Sequence, residues 1–206
     1  MKTLIALLAA ALSVPAFAAE PDRYVVGMLG SAQVDLDKGN ADAVLRAAGA
    51  TNLRSTVEDS ASFTKVGIGF RISPRIAAEA AYITTGDFTY RATFTQGSAD
   101  VDISARGLGV SIVANSKLDD TIAVYGRLGL YHFTVDSRAT LRATGVSRAS
   151  QSGTSMSPEI GAGAEFSTSP IGAVRIEYSF FSQVGEQSTT GKSDVTALSI
   201  GFLLRF

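Results

Sequence analysis

Apolar and polar residues alternate with a period of two through much of this chain, and the clearest run closes it. Leu198, Ile200, Phe202, Leu204 and Phe206 share one side of a strand over residues 193–206, with Ser199, Gly201 and Arg205 on the other. Successive strand side chains point to opposite faces, so this strand carries an unbroken apolar stripe. In water such a terminal strand invites edge-to-edge association; against lipid the stripe is satisfied.

A glycine pattern recurs along the chain: Gly67-Ile-Gly69-Phe70-Arg71, Gly107-Leu-Gly109-Val110-Ser111, Gly161-Ala-Gly163-Ala-Glu165-Phe166 and Ser199-Ile-Gly201-Phe202. The segments Ala78–Tyr82, Ile122–Leu130 and Val174–Tyr178 read as their partner strands. An opening strand at Tyr24–Ala32 completes the set. The expectation is an all-β fold, an eight-stranded antiparallel transmembrane β-barrel of up-and-down topology. Links after the glycine repeats are short, near Ser73–Arg75, Ala114–Asp120 and Thr168–Pro170. The others are long, near Gln33–Ser62, Gly86–Ala99, Ser137–Gly153 and Gln183–Ser193. Short turns at one end and long loops at the other are the layout of an outer-membrane barrel, with four long extracellular loops and both termini on the periplasmic side. Two loops are expected to keep strand character, as hairpins rising beyond the membrane: Phe88, Tyr90, Ala92 and Phe94 alternate up to a Gln96-Gly97-Ser98 tip and return through Asp100–Ser104, and Ala139, Leu141 and Ala143 alternate with Arg138, Thr140 and Arg142. Asn40–Ala50 has helical composition.

If Phe206 faces lipid, the aligned repeats turn Phe202, Val110, Phe70, Phe166, Tyr178 and Tyr82 the same way. The inner face then holds the repeat glycines, which leave room for large interior side chains. It also holds Lys65, Arg71, Arg127, Arg175 and Arg205 against Glu79, Glu159, Glu165 and Glu177. A soluble sandwich with this arrangement would be inverted, and one buried unpaired charge would cost several kcal/mol. Inside a barrel the charges pair across the lumen, either as a gated ion path or as a salt-bridged filling that fixes the register. Eight strands leave space only for their own side chains, which favours the filling. Arg106 falls on the outward face, either near the outer rim or beside a bulge that breaks the alignment.

Composition adds the address. Lys2, the apolar run Leu4–Leu12 and Ala16-Phe17-Ala18 form an export signal, so residues 1–18 are expected to be cleaved, leaving 19–206 as one barrel domain. Charged residues make up 18% of the chain against about 25% in ordinary soluble domains, which fits either a secreted β protein or a membrane barrel until the strand pattern decides. No later stretch approaches the ~20 apolar residues of a membrane helix. With 18 basic and 19 acidic residues, no nucleic-acid partner is expected. The absence of Cys excludes a lipid-anchored cysteine, disulfides and thiolate metal sites.

The segments Lys65–Arg71, Arg106–Ser111, Tyr125-Gly-Arg-Leu-Gly129 and Gly163–Phe166 resemble the OmpA-type outer-membrane β-barrel superfamily, which includes the OmpX/Ail-like adhesion barrels. Ser199, Gly201, Leu204 and Phe206 are similar to the family's assembly signal, read by the outer-membrane insertion machinery. The resemblance covers nearly all of residues 19–206. It implies an outer-membrane protein with a structural or surface-interaction role, membrane integrity with possible adhesion through the loops. The family's interior ion-pair theme carries over as a type. The peptidoglycan-binding domain of full-length OmpA proteins is expected to be absent, and Tyr and Phe must form the girdles because Trp is absent. The implied partners are outer-membrane lipids, lipopolysaccharide, the insertion machinery and host surface ligands, with the chain a monomer.

Candidate chemistry is sparse. A lipid-modifying enzyme would need a base, a nucleophile and an orienting acid within reach. The sole histidine, His132, has Thr134 two residues on but no acid clearly placed beside it. No Gly-x-Ser-x-Gly elbow occurs, and the expectation is no enzyme, cofactor or transition-metal site. Asp35, Asp37 and Asp42 in the first loop read as a calcium set or as solvated acids. Arg138, Arg142 and Arg148 make the third loop basic, with no acid between Ser137 and Pro158; this reads as surface polyanion binding or as charge matching to the protein's own outer leaflet.

Overall fold

A computed structural model describes residues 23–206 except 37, 144, 187 and 189. The expected export signal and Asp37 lie outside the described residues. The strands are β1 (Arg23–Val34), β2 (Arg54–Glu58), β3 (Ser60–Ser73), β4 (Ile76–Thr85), β5 (Phe88–Phe94), β6 (Gly97–Lys117), β7 (Ile122–Arg142), β8 (Val146–Ser167), β9 (Gly172–Val184) and β10 (Ser193–Arg205). One helix, α1 (Lys38–Ala47), lies between β1 and β2.

Eight strands close a ring in the order β1-β3-β4-β6-β7-β8-β9-β10, antiparallel throughout, with β10 pairing back on β1. The alternation seen in the sequence is the ring's inside and outside. Leu198, Ile200, Phe202, Leu204 and Phe206 are exposed on the outer wall, as are Phe70, Val110, Leu128 and Tyr178. Among the described residues no helix is long and apolar enough to cross a membrane; the crossing elements are strands.

The inner wall depends on glycine opposite aromatics. Tyr24 lies across from Gly69 and Tyr131 across from Gly109. A Cβ on Gly69 would stand 2.1 Å from the Tyr24 ring, and one on Gly109 would stand 2.4 Å from Tyr131. The repeat glycines are the floors on which these rings lie.

Beyond the ring, the sheet continues. β6 leaves β4 after Arg106 and pairs instead with β5 over Gly97–Ile103, and β2 joins the far side of β5. β7 and β8 run on together to Arg142 and Val146. A five-stranded sheet, β2-β5-β6-β7-β8, therefore projects from the long-connection end. The second and third long connections are the strand hairpins their alternation implies: Phe88–Phe94 pairs with Gly97–Ile103, and Ser137–Arg142 pairs with Val146–Gln151, above the ring. The helix covers Lys38–Ala47 rather than Asn40–Ala50. Gly49, at φ 95°, stops it in a left-handed C-cap, with Gly49 N–H donating to Arg46 and Ala50 N–H to Leu45. Ala41 and Leu45 pack on the projecting sheet against Tyr90, Ala92 and Ala99.

Candidate functional site

The ring strands point polar and charged residues into the lumen: Tyr24 from β1, Lys65 from β3, Glu79 from β4, Ser111 from β6, Arg127 from β7, Glu159 and Glu165 from β8, Arg175 and Glu177 from β9, and Arg205 from β10. Their ion pairs form one chain. Arg205 meets Glu165 at 3.3 Å, and Glu165 meets Arg175 at 2.5 Å. Arg175 continues to Glu79 at 2.6 Å, and Glu79 to Arg127 at 3.2 Å. Arg127 then reaches Glu177 at 2.6 Å and Glu159 at 3.2 Å, and Lys65 closes on Glu177 at 2.7 Å. Lys65, Arg127, Arg175, Glu79, Glu159 and Glu177 are all within 2% of full burial.

Partners that the charge pattern alone did not single out complete the network. The Tyr24 hydroxyl donates to Glu79 at 2.7 Å and the Tyr125 hydroxyl to Glu177 at 2.9 Å. Ser111 and Ser179 donate to Glu159 at 2.8 and 3.2 Å. The Arg175 guanidinium lies 4.7 Å from the Tyr125 ring centre. The signal for these residues was available, since each falls on the inward phase of its strand.

The network sits between apolar layers. Toward the projecting sheet, Phe63, Ile83, Tyr131, Phe133 and Phe181 fill the lumen. Tyr131 and Phe133 both meet Phe181 edge-on with ring centres 5.4 Å apart. Toward the short turns lie Ala77, Val113, Ala173 and Leu203. Arg71 is the exception among the inward cations. It stands below the network, half-buried at the short-turn mouth, and has no ion pair among the described residues.

The outer surface rearranges the other candidates. Arg106 lies on the outward face at the upper edge of the ring, in unbroken register with Thr84 and Thr134, and pairs with Asp136 at 3.2 Å. No bulge intervenes. His132 faces outward between Leu108 and Met156, and the acid nearest along its strand face, Asp136, is engaged by Arg106. The basic hairpin is partly neutralised from the neighbouring strand: Arg142 pairs with Asp100, and Arg138 stands across from Asp102. Arg148 is exposed and has no ion pair among the described residues. The separation in sequence hid both acids.

Asp42 is not a free loop acid. It is 7% exposed, accepts the Tyr90 hydroxyl at 2.7 Å and pairs with Lys38 at 3.3 Å. The adjacent Ser55 and Tyr90 hydroxyls, with the Lys38 ammonium, hold its carboxyl down to about 2. Those contacts occupy the oxygens a calcium ion would need, and among the described residues no cluster of acids suits a metal. On the final strand Ser199 and Gly201 point inward, while Leu204 and Phe206 are exposed outside.

A family model described as the OmpA-like transmembrane domain matches residues 18–206. The chain belongs to that family. Outer membrane protein A of Klebsiella pneumoniae is 29% identical over 139 residues, 67% of this chain and 39% of that protein. Outer membrane protein A of Serratia marcescens is 29% identical over 140 residues, 68% of this chain and 38% of that protein. The chain thus matches well under half the length of these relatives. Among solved structures, Neisserial surface protein A superposes with a TM-score of 0.59 at 15% identity, covering 90% of this chain and 97% of that one. Ail, the attachment invasion locus protein of Yersinia pestis, gives 0.50 at 16% identity, covering 90% and 99%. Both share the eight-stranded fold. This OmpA-like barrel is an outer-membrane protein.

Proposed function

We propose that this OmpA-like barrel is a rigid outer-membrane anchor that presents its projecting sheet at the cell surface as an interaction element. The long-connection end faces outward and the short turns face the periplasm. One observation carries the reading. β8 pairs with β9 only from Glu159 downward, so Val146–Thr154 has a backbone partner on β7 and none on its other side among the described residues. This edge is long and unbulged, and Arg148 is its one charge. Proteins ordinarily blunt such edges with charges, proline or bulges. An exposed edge of this kind accepts an extended segment of a partner by strand addition, with outward side chains such as Arg148 setting preference. Arg148 biases the surface toward acidic partners, lipopolysaccharide phosphates or a host glycan, while Asp100 and Asp102 on the neighbouring strand offset Arg142 and Arg138. The exposed Leu204 and Phe206 serve the insertion machinery. The closed lumen and the lipid-facing His132 support a structural and interactive role over catalysis.

The test is a trimmed variant in which Ala139–Ala149 is replaced by Asn-Gly, a tight hairpin turn. Cells displaying it should lose most of their attachment to epithelial monolayers or immobilised matrix, while the barrel keeps its heat resistance in detergent. Attachment equal to that of cells carrying the intact chain would refute the role of this sheet.

A further inference from the structure

The short-turn mouth of the barrel opens into a cup of about 520 Å³. Its walls are turn residues of the β3–β4, β6–β7 and β8–β9 connections, and its floor holds Arg71, Arg205 and Glu165. The cup is lined by three cations, Arg71, Lys117 and Arg205, and three acids, Glu165 and the exposed Asp119 and Asp120, but the inward-facing charges of the barrel as a whole do not balance. Five cations point inward against four carboxylates, and the ion pairs consume the carboxylates with Lys65, Arg127, Arg175 and Arg205. Arg71 is the remaining cation. Glu165 cannot serve it well, because it already binds Arg175 at 2.5 Å and Arg205 at 3.3 Å. The Arg205 Nε–H is moreover buried without a hydrogen-bond partner. The acids at the rim lie nearer the solvent: Asp119 caps its own turn by accepting the Thr121 and Ile122 amides at 2.7 Å.

We infer that this cup is a binding site for a small soluble oxyanion, a phosphate or carboxylate group, held at the short-turn end by Arg71 and Arg205. The forked donors of two guanidiniums suit two oxygens of one anion, as bidentate arginine contacts generally do. Filling the site breaks none of the ion pairs: Arg71 has none among the described residues, and Arg205 holds Glu165 through a terminal guanidinium nitrogen while its Nε–H is unpartnered.

The barrel in phosphatidylcholine nanodiscs is titrated with inorganic phosphate, and separately with acetate, at ionic strength held constant with sodium chloride. The readout is the NMR signal of the arginine Nε–H groups. Saturable shifts confined to Arg71 and Arg205 are expected. Arg71→Gln should weaken binding at least tenfold, Arg71→Lys by a smaller factor, and Lys117→Gln at the rim by less than twofold. Retention of the remaining arginine signals reports that each variant is folded. Non-saturating shifts, or equal losses in Arg71→Gln and Lys117→Gln, would overturn the assignment. So would shifts produced by phosphatidylglycerol in the disc but not by free phosphate, since the anion would then be a lipid headgroup.

Discussion

At the residue scale, the inner wall is a matter of glycine yielding to a ring. Tyr24 lies flat over Gly69, and its hydroxyl holds Glu79 at 2.7 Å. A methyl group at position 69 must displace the ring, and with it one of the donors on a buried carboxylate. Overpacking of this kind typically costs about 1–3 kcal/mol. Gly69→Ala should therefore lower the unfolding free energy in micelles by that amount and move the urea midpoint down with it, whereas the outward-facing Gly27→Ala, with nothing within 4 Å of its new Cβ, should change it little. Equal midpoints for the two variants would show that the ring is not seated on the glycine. The period-two pattern made the inward glycines legible, but not which aromatic each one serves, because that depends on a cross-strand register no single strand encodes. The same holds for charge. Lys65 and Glu177 are 112 residues apart and pair at 2.7 Å. Asp100 and Arg142 could be assigned as partners only once β6 was known to lie beside β7.

At the element scale, legibility followed the membrane. Strands within the ring have lipid on one side and a packed lumen on the other, so their alternation is sharp. Above it, β7 and β8 face polar surroundings on both sides and the contrast fades: alternation at Ala139 and Leu141 still marks a hairpin, but the returning strand Val146–Gly153 has no apolar stripe to reveal it. The helix was visible in its Ala, Val and Leu content, while its docking was not. Asp42 supplies that docking through Tyr90, whose own hydroxyl is pushed up to about 12, chiefly by burial and then by the carboxylate it binds. A carboxyl whose folded value lies below its ordinary 3.8 contributes stability that is complete above that value and is lost as pH falls through the folded one, here about 2. α1 should therefore stay docked from pH 6 to about 4 and loosen only between about 4 and 2. The amide NMR dispersion of Ala41–Arg46 measures this. Asp42→Asn should look undocked already at pH 6, and a wild-type midpoint at the ordinary value would remove the hydrogen-bonded carboxylate as the anchor.

At the scale of the whole molecule, the lumen decides whether the barrel conducts. Sequence offered an interior of charged residues compatible with a gated path. The structure places those charges as one layer among three, with Phe63, Ile83, Tyr131, Phe133 and Phe181 filling the barrel on the side of the projecting sheet. An ion would have to pass both a continuous chain of buried ion pairs and an aromatic plug that offers it little hydration. Eight strands leave no annulus around either. The wild-type barrel should accordingly show no discrete steps in planar bilayers. Arg127→Ala strips the central cation from Glu79, Glu159 and Glu177. Breaking a buried pair this way commonly costs about 3–5 kcal/mol, so the variant should unfold at lower urea concentration. It should still not conduct, because the aromatic layer remains in place. Steps should require both layers to be opened, as in Arg127→Ala combined with Phe181→Ala, measured on protein that still migrates as the folded form. Steps in the wild type that change with Arg127 or Glu159 substitution would mean that the network gates a path through the aromatic layer, and that the filled lumen is a closed state of a channel.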